Sequence, residues 1–224
     1  MGSRSAKPRL AVLLSGQGST YAAIQAACDS GACAAEVVLV LSDRPAAGGL
    51  ATARDHGTPA RAIPSRDFPD RPAHETALME AIDASGADWV VLAGYMRILG
   101  ADFVRHYAGR MLNTHPSLLP KYRGLNTYQR ALDAGDPLHG CSIHFVTEDL
   151  DGGPVIAQAE VPIESGDSPG ELEARTKARE RKLYPRIVHL AASGRLDTRD
   201  GDVLLDGRKL QRPLRLATDG ETLE

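Results

Sequence analysis

The feature that most constrains this chain is a repeated alternation of short apolar runs with longer amphipathic stretches between Leu10 and Asn113. Leu10–Leu14 (LAVLL), Val37–Leu41 (VVLVL) and Trp89–Ala93 (WVVLA) are apolar at every position, not at every second one. A strand wetted on one face alternates, whereas a strand covered on both faces has no reason to. The segments between them, Tyr21–Cys28, Leu50–His56, His74–Ala84 and Ala101–Tyr107, read as helices. With weaker strands at Ala60–Ile63 and Met111–Asn113, the pattern predicts an α/β fold: a doubly wound, mostly parallel central sheet with flanking helices.

The texture changes after His115. Thr127–Ala134 reads as a helix, and Ser142–Val146 and Val155–Ile163 as strands joined by an Asp- and Gly-rich loop, so antiparallel strands are expected to extend the sheet. Pro169–His189 is a long charged helix with Pro185 near its last turn, and Asp206-Gly207 inside Val203–Leu210 signals a hairpin. The expected division is a disordered extension over residues 1–7, a main domain over 8–194, and a hairpin and tail over 195–224 packed on that domain.

Composition removes several function classes. A formal net charge of -3 argues against a nucleic-acid partner, which asks for a strongly basic face. No apolar run approaches the length of a membrane span, and no signal-peptide pattern follows Met1, so a cytoplasmic protein without a membrane partner is expected. Cys28, Cys33 and Cys141 form no C-x-x-C pair and no His/Cys set at metal spacing, so neither a disulfide framework nor a metal is expected.

In doubly wound sheets, ligands bind beyond the carboxyl ends of the strands, and the informative stretches fall there. Ser15-Gly16-Gln17-Gly18-Ser19-Thr20 is a small-residue turn entering a helix, suited to an anion held by backbone N–H groups and hydroxyls. It is no dinucleotide fingerprint, because Tyr21 stands where the third Gly belongs, and no Walker Gly-Lys-Ser/Thr follows. Gly94-Tyr95-Met96-Arg97-Ile98-Leu99 could wall a flat apolar pocket, or simply pack strand on helix. Asn113 and His115 are two apart in extended chain and share one side; an amide and an imidazolium both suit a developing oxyanion, and Pro116 and Pro120 stiffen the next stretch of backbone. Asp151, in Thr147-Glu148-Asp149-Leu150-Asp151-Gly152-Gly153-Pro154, could orient and charge a histidine, or sit in a solvated turn. On the helix 169–189, Glu171–Arg175 and Glu173–Lys177 are spaced for surface ion pairs.

Four of these stretches together carry a resemblance. Ser15-Gly16-x-Gly18-Ser19, Val91–Leu99, Asn113-x-His115-Pro116-Ser117-Leu118-Leu119-Pro120 and Leu150-Asp151-Gly152-Gly153-Pro154 stand in the order found in the phosphoribosylglycinamide formyltransferase family, which the chain resembles from about Leu10 to about Pro185. The resemblance implies formyl transfer from 10-formyltetrahydrofolate, as co-substrate, to the amine of 5'-phosphoribosylglycinamide (GAR) in purine biosynthesis. It implies Asn113, His115 and Asp151 as the catalytic trio. Gly16, Gly18, Ser19 and Thr20 would hold the ribose phosphate, and Glu180 the glycinamide end. Apart from the resemblance, the basic run Arg175, Lys177, Arg179, Arg181 and Lys182 reads by default as a solvated helix face, with Lys177 its candidate to reach that phosphate. Met96, Arg97, Ile98 and Leu99 would line the folate pocket, with Arg71 also contacting folate. Residues 8–194 become a formyltransferase domain, and a homodimer stays open. Gln17, Thr20, Arg123 and Asn126 depart from residues common in relatives, and no role is implied for Arg123 or Asn126.

Two relatives by chemistry resemble the chain less. Methionyl-tRNA formyltransferase carries a further tRNA-binding domain, and about 30 residues after Ser193 are too few for one. Formyltetrahydrofolate hydrolase usually carries an extra N-terminal domain, whereas this chain enters its first strand at Leu10. From another class, a nucleotide-binding module without catalysis would also use a glycine-rich first turn.

Overall fold

The computed structural model describes residues 7–224, so the expected disordered extension lies, apart from Lys7, outside the described residues. Five parallel strands form the centre: β1 (Arg9–Leu14), β2 (Glu36–Ser42), β3 (Ala60–Ala62), β4 (Trp89–Leu92) and β5 (Met111–His115). They are linked by helices α1 (Ser19–Asp29), α2 (Gly48–Asp55), α3 (Arg71–Ser85) and α4 (Ala101–His106). After α5 (Thr127–Asp133), β6 (Leu138–Phe145) and β7 (Val155–Pro162) extend the sheet in antiparallel register, and α6 (Pro169–Ala192) crosses back. Next comes a three-stranded antiparallel sheet of β8 (Leu196–Arg199), β9 (Asp202–Leu205) and β10 (Arg208–Lys209). Finally β11 (Leu214–Leu216) joins the edge of the large sheet parallel to β7. The large sheet runs β11-β7-β6-β5-β4-β1-β2-β3.

The unbroken apolar runs now have their cause. Along β1, Leu10, Val12 and Leu14 face one core with Tyr21 and Ile24 of α1 and Tyr184 and Ile187 of α6. Ala11 and Leu13 face the other, with Leu78 and Ile82 of α3 and Phe103 of α4. Each large side chain fully buried this way contributes about 1.5–3 kcal/mol. Helix boundaries are set by capping. The Asp70 carboxylate accepts the Ala73 N–H at 2.8 Å to start α3, and Gly86, with φ 65°, ends it. At α6, Ser168 and Glu171 form a reciprocal capping box ahead of Pro169.

That capping box alters one sequence expectation. Glu171 turns back to Ser168, so Arg175 pairs instead with Asp167, while Lys177 does meet Glu173 at 2.5 Å as its spacing predicted. The Asp206-Gly207 hairpin forms between β9 and β10. Strands β8 and β11 were not anticipated.

The chain leaves β1 toward β2 and β3, then returns to place β4 on the other side of β1. This topological switch opens a crevice between the carboxyl ends of β1 and β4.

Candidate active site

The two loops at the switch point are tied together. Ser15 N–H donates to the Gly94 carbonyl at 3.0 Å, the Met96 N–H donates to Ser15 Oγ at 2.9 Å, and Ser15 Oγ donates to Asp43 at 2.5 Å. Gly18 precedes α1 with φ 77°, and a Cβ there would lie 2.5 Å from Gly49 Cα, so only glycine fits this turn. Gly16 accepts the Gly49 N–H at 3.2 Å, which packs the turn against α2. Ser19 opens the helix rather than capping it, since Gly18 is the cap and makes no side-chain bond. The first N–H groups of α1 have no intrahelical partner, and the field at this end of the helix favours an anion.

Thr20 is not free to line that turn with its hydroxyl. It donates to Glu180 Oε1 of α6 at 2.6 Å, and both side chains are buried. Burial pushes the Glu180 carboxyl above its ordinary value, while Thr20 pulls it back. Thr114 of β5 faces the same carboxylate and also lowers it, although its hydroxyl misses hydrogen-bond geometry. Lys177, one turn earlier on α6, is engaged by Glu173 on the helix surface.

On the other side of β5 lie Asn113 and His115, as their spacing predicted. His115 Nε2 is 2.9 Å from the Tyr122 carbonyl, and Nδ1 is 3.3 Å from Asp151 Oδ2. Both ring nitrogens thus face oxygen acceptors, and only the doubly protonated ring can donate to both. Asp151 sits in left-handed backbone, φ 49°, which turns its side chain inward, and its Oδ2 also accepts the Gly124 N–H at 2.9 Å. The side chains of His115 and Asp151 are 6% and 9% exposed, dry enough for their attraction to be poorly screened.

Sequence reasoning missed His144 of β6. Its Nδ1 lies 2.8 Å from the Phe145 carbonyl and must carry the proton, which leaves Nε2 to accept the Asn113 Nδ2–H at 3.1 Å. Burial pushes His144 below its ordinary value, in keeping with a neutral ring. The Asn113 amide is therefore fixed with its NH2 group on the His144 side, and its second N–H remains for another acceptor. The signal for this was the cross-strand register, Asn113 opposite His144, which a single sequence does not display.

The 94–99 loop contributes an apolar ledge. Met96 and Ile98 are 59% and 61% exposed, so two large apolar side chains two residues apart face solvent on this loop. Arg97 is exposed and Leu99 is half-buried against the α3–α4 core. Arg71, at the start of α3, reaches Glu75 at 3.6 Å, and Glu75 accepts the Gly100 N–H at 2.8 Å, so Arg71 stands at the far end of this ledge. The structure thus gathers the trio at β5, while Gly16, Gly18 and Ser19 stand at the β1 turn and the ledge lies between β4 and α4. Among the described residues, no group of three or more His, Cys, Asp or Glu is arranged to hold a metal ion.

A formyl transferase family profile matches residues 8–188. Phosphoribosylglycinamide formyltransferase of Escherichia coli (strain K12) is 46% identical over 201 residues, covering 90% of this chain and 95% of its own length. The chain belongs to the phosphoribosylglycinamide formyltransferase family. The phosphoribosylglycinamide formyltransferase structure from Coxiella burnetii superposes with a TM-score of 0.87 at 45% identity, covering 92% of this chain and 96% of that one. A formyltetrahydrofolate deformylase from Burkholderia mallei shares the fold at a TM-score of 0.81 and 28% identity, with 89% of this chain and 70% of that chain covered. The formyltransferase fold and the family membership are thus set by the whole chain rather than by its motifs alone.

Proposed function

We propose that this chain transfers the formyl group of 10-formyltetrahydrofolate to the amine of GAR, releasing tetrahydrofolate and formyl-GAR. The observation that carries this reading is the Asn113 amide and the His115 imidazole on one side of β5, with Asp151 behind the ring. The amine attacks the formyl carbon, and the carbonyl oxygen gains negative charge. The free N–H of Asn113 donates to that oxyanion, and the His115 ring beside it on the same side of β5 supports it electrostatically. Asp151 orients the ring through Nδ1, and the proton lost by the amine passes through Asp151 and His115 to the departing folate nitrogen. The intermediate collapses with cleavage of the bond between the formyl carbon and that nitrogen.

The binding assignments belong to the same proposal. Gly16, Gly18 and Ser19 hold the GAR phosphate on the α1 N-terminus, with Thr20 acting through Glu180 and Lys177 reaching round from α6. Glu180 holds the glycinamide end. Met96, Arg97, Ile98 and Leu99 receive the folate, and Arg71 takes its terminal carboxylates; the exposed ledge supports this. Residues 8–194 act as one formyltransferase domain, with 195–224 packed on it, a reading supported by the pairing of Leu214–Leu216 with β7. The setting is cytoplasmic, without nucleic-acid or membrane partners; the net charge of -3 and the lack of a helix long and apolar enough to cross a membrane among the described residues support this. A homodimer stays open as the assembly, and sedimentation decides it.

The test is tetrahydrofolate release from 10-formyltetrahydrofolate with and without GAR. Release that requires GAR is expected. Release at the same rate without GAR would make the chain a deformylase and overturn the reading.

A further inference from the structure

The loops that hold the trio are joined by a contact that the proposed chemistry does not use. Tyr122 accepts from His115, and Gly124 donates to Asp151, so residues 122–124 touch both members of the His115–Asp151 pair. Between them, the Arg123 side chain leaves the site and meets Asp149 Oδ2 at 2.7 Å. Asp149 lies two residues before Asp151, in the loop joining β6 to β7. Its carboxylate folds over Gly152, where a Cβ would collide with it, so this loop conformation needs the glycine, and the Arg123 guanidinium stands opposite the acid. Arg123 is itself held: its carbonyl accepts from Arg130 of α5 at 2.7 Å. The result is a closed ring of contacts running from His115 through Tyr122, Arg123, Asp149 and Asp151 back to His115.

We propose that Arg123 is a positioning residue, whose ion pair with Asp149 latches the 147–153 loop and presets Asp151 against His115. The proposal rests on the formyl-transfer reading only for its kinetic consequence. Asp151 stands in left-handed backbone, a conformation that a loose loop would leave. The latch removes that freedom before substrate arrives, which is how a surface pair well away from the reacting atoms can act on turnover. Tyr122 also has a positive φ of 55°, so both loops joined by the latch hold strained backbone beside the trio.

The experiment compares wild type with Arg123→Ala, Arg123→Lys, Asp149→Asn and the Arg123→Ala/Asp149→Asn double variant. Hydrogen exchange over residues 147–153 needs no activity. It should quicken about two- to fivefold in either single variant, by no more in the double variant, and return near wild type in Arg123→Lys, since an exposed pair is worth this much. The turnover number should fall over the same range in the same variants, with KM for GAR unchanged, because the phosphate turn is on β1. Unchanged exchange in Arg123→Ala, or effects that add in the double variant, would overturn the latch. A wild type that shows the exchange pattern but no GAR-dependent turnover would support the latch and reject the formyl-transfer reading.

Discussion

At the scale of single residues, the trio depends on side chains that never meet the reacting carbon. Asn113→Ala should lower turnover by about 10²–10³, the usual cost of one oxyanion donor, with the circular dichroism spectrum unchanged; near-normal turnover would remove Asn113 from the chemistry. His144 predicts a second effect. Its burial lowers its pKa, so it accepts from Asn113 while neutral and gains a proton only as pH falls below the ordinary imidazole range. Wild-type activity should therefore have an acid limb that His144→Gln moves, visible in turnover against pH. Glu180 gives the opposite case. Burial raises its carboxyl, so folding favours the protonated form: that stability is fully present below the ordinary carboxylate pKa and is lost as pH rises through the folded value. Glu180→Gln should accordingly raise the melting temperature at pH 8 and change it little at pH 3, while weakening GAR binding. Equal shifts at both pH values would mean that the carboxylate carries no desolvation penalty.

At the scale of elements, legibility followed burial. Strands β1, β2 and β4 were plain because each packs on both faces, which forces unbroken apolar runs. Strand β11 was invisible because Leu-Arg-Leu is three residues long and sits at an edge, and β8 because Leu196 is its one deeply buried residue. The same holds within the site. Asn113 and His115 were legible by their spacing on one strand, and Asp151 by family resemblance. The Tyr122 carbonyl, the Gly124 N–H and His144 were not, because their roles arise from register and loop path rather than residue type. The β1–α1 turn offers a direct test. Gly18→Ala must hold a positive φ and press on Gly49, so it should cost about 1–3 kcal/mol and raise KM for GAR before that for folate. A fully stable variant with unchanged KM would show that the turn relaxes freely.

At the scale of the whole molecule, the C-terminal segment closes the sheet. Strand β11 covers the outer edge of β7, and Arg179 of α6 donates to the carbonyls of Leu216 and Ala217, while Arg186 grips Glu221. Ending the chain at residue 210 should lower the melting temperature and promote association through the bared β7 edge, read by light scattering; a monomeric, equally stable product would show that the cover is dispensable. The pairing also sets an order of events during synthesis. Strand β7 ends at Pro162 and its cover begins at Leu214, so about fifty residues must be added in between, or roughly 3–10 s at ordinary elongation rates. For that interval the nascent chain carries an open strand edge beside a nearly finished sheet. Until the last strand arrives, that edge is a template on which neighbouring nascent chains can pair.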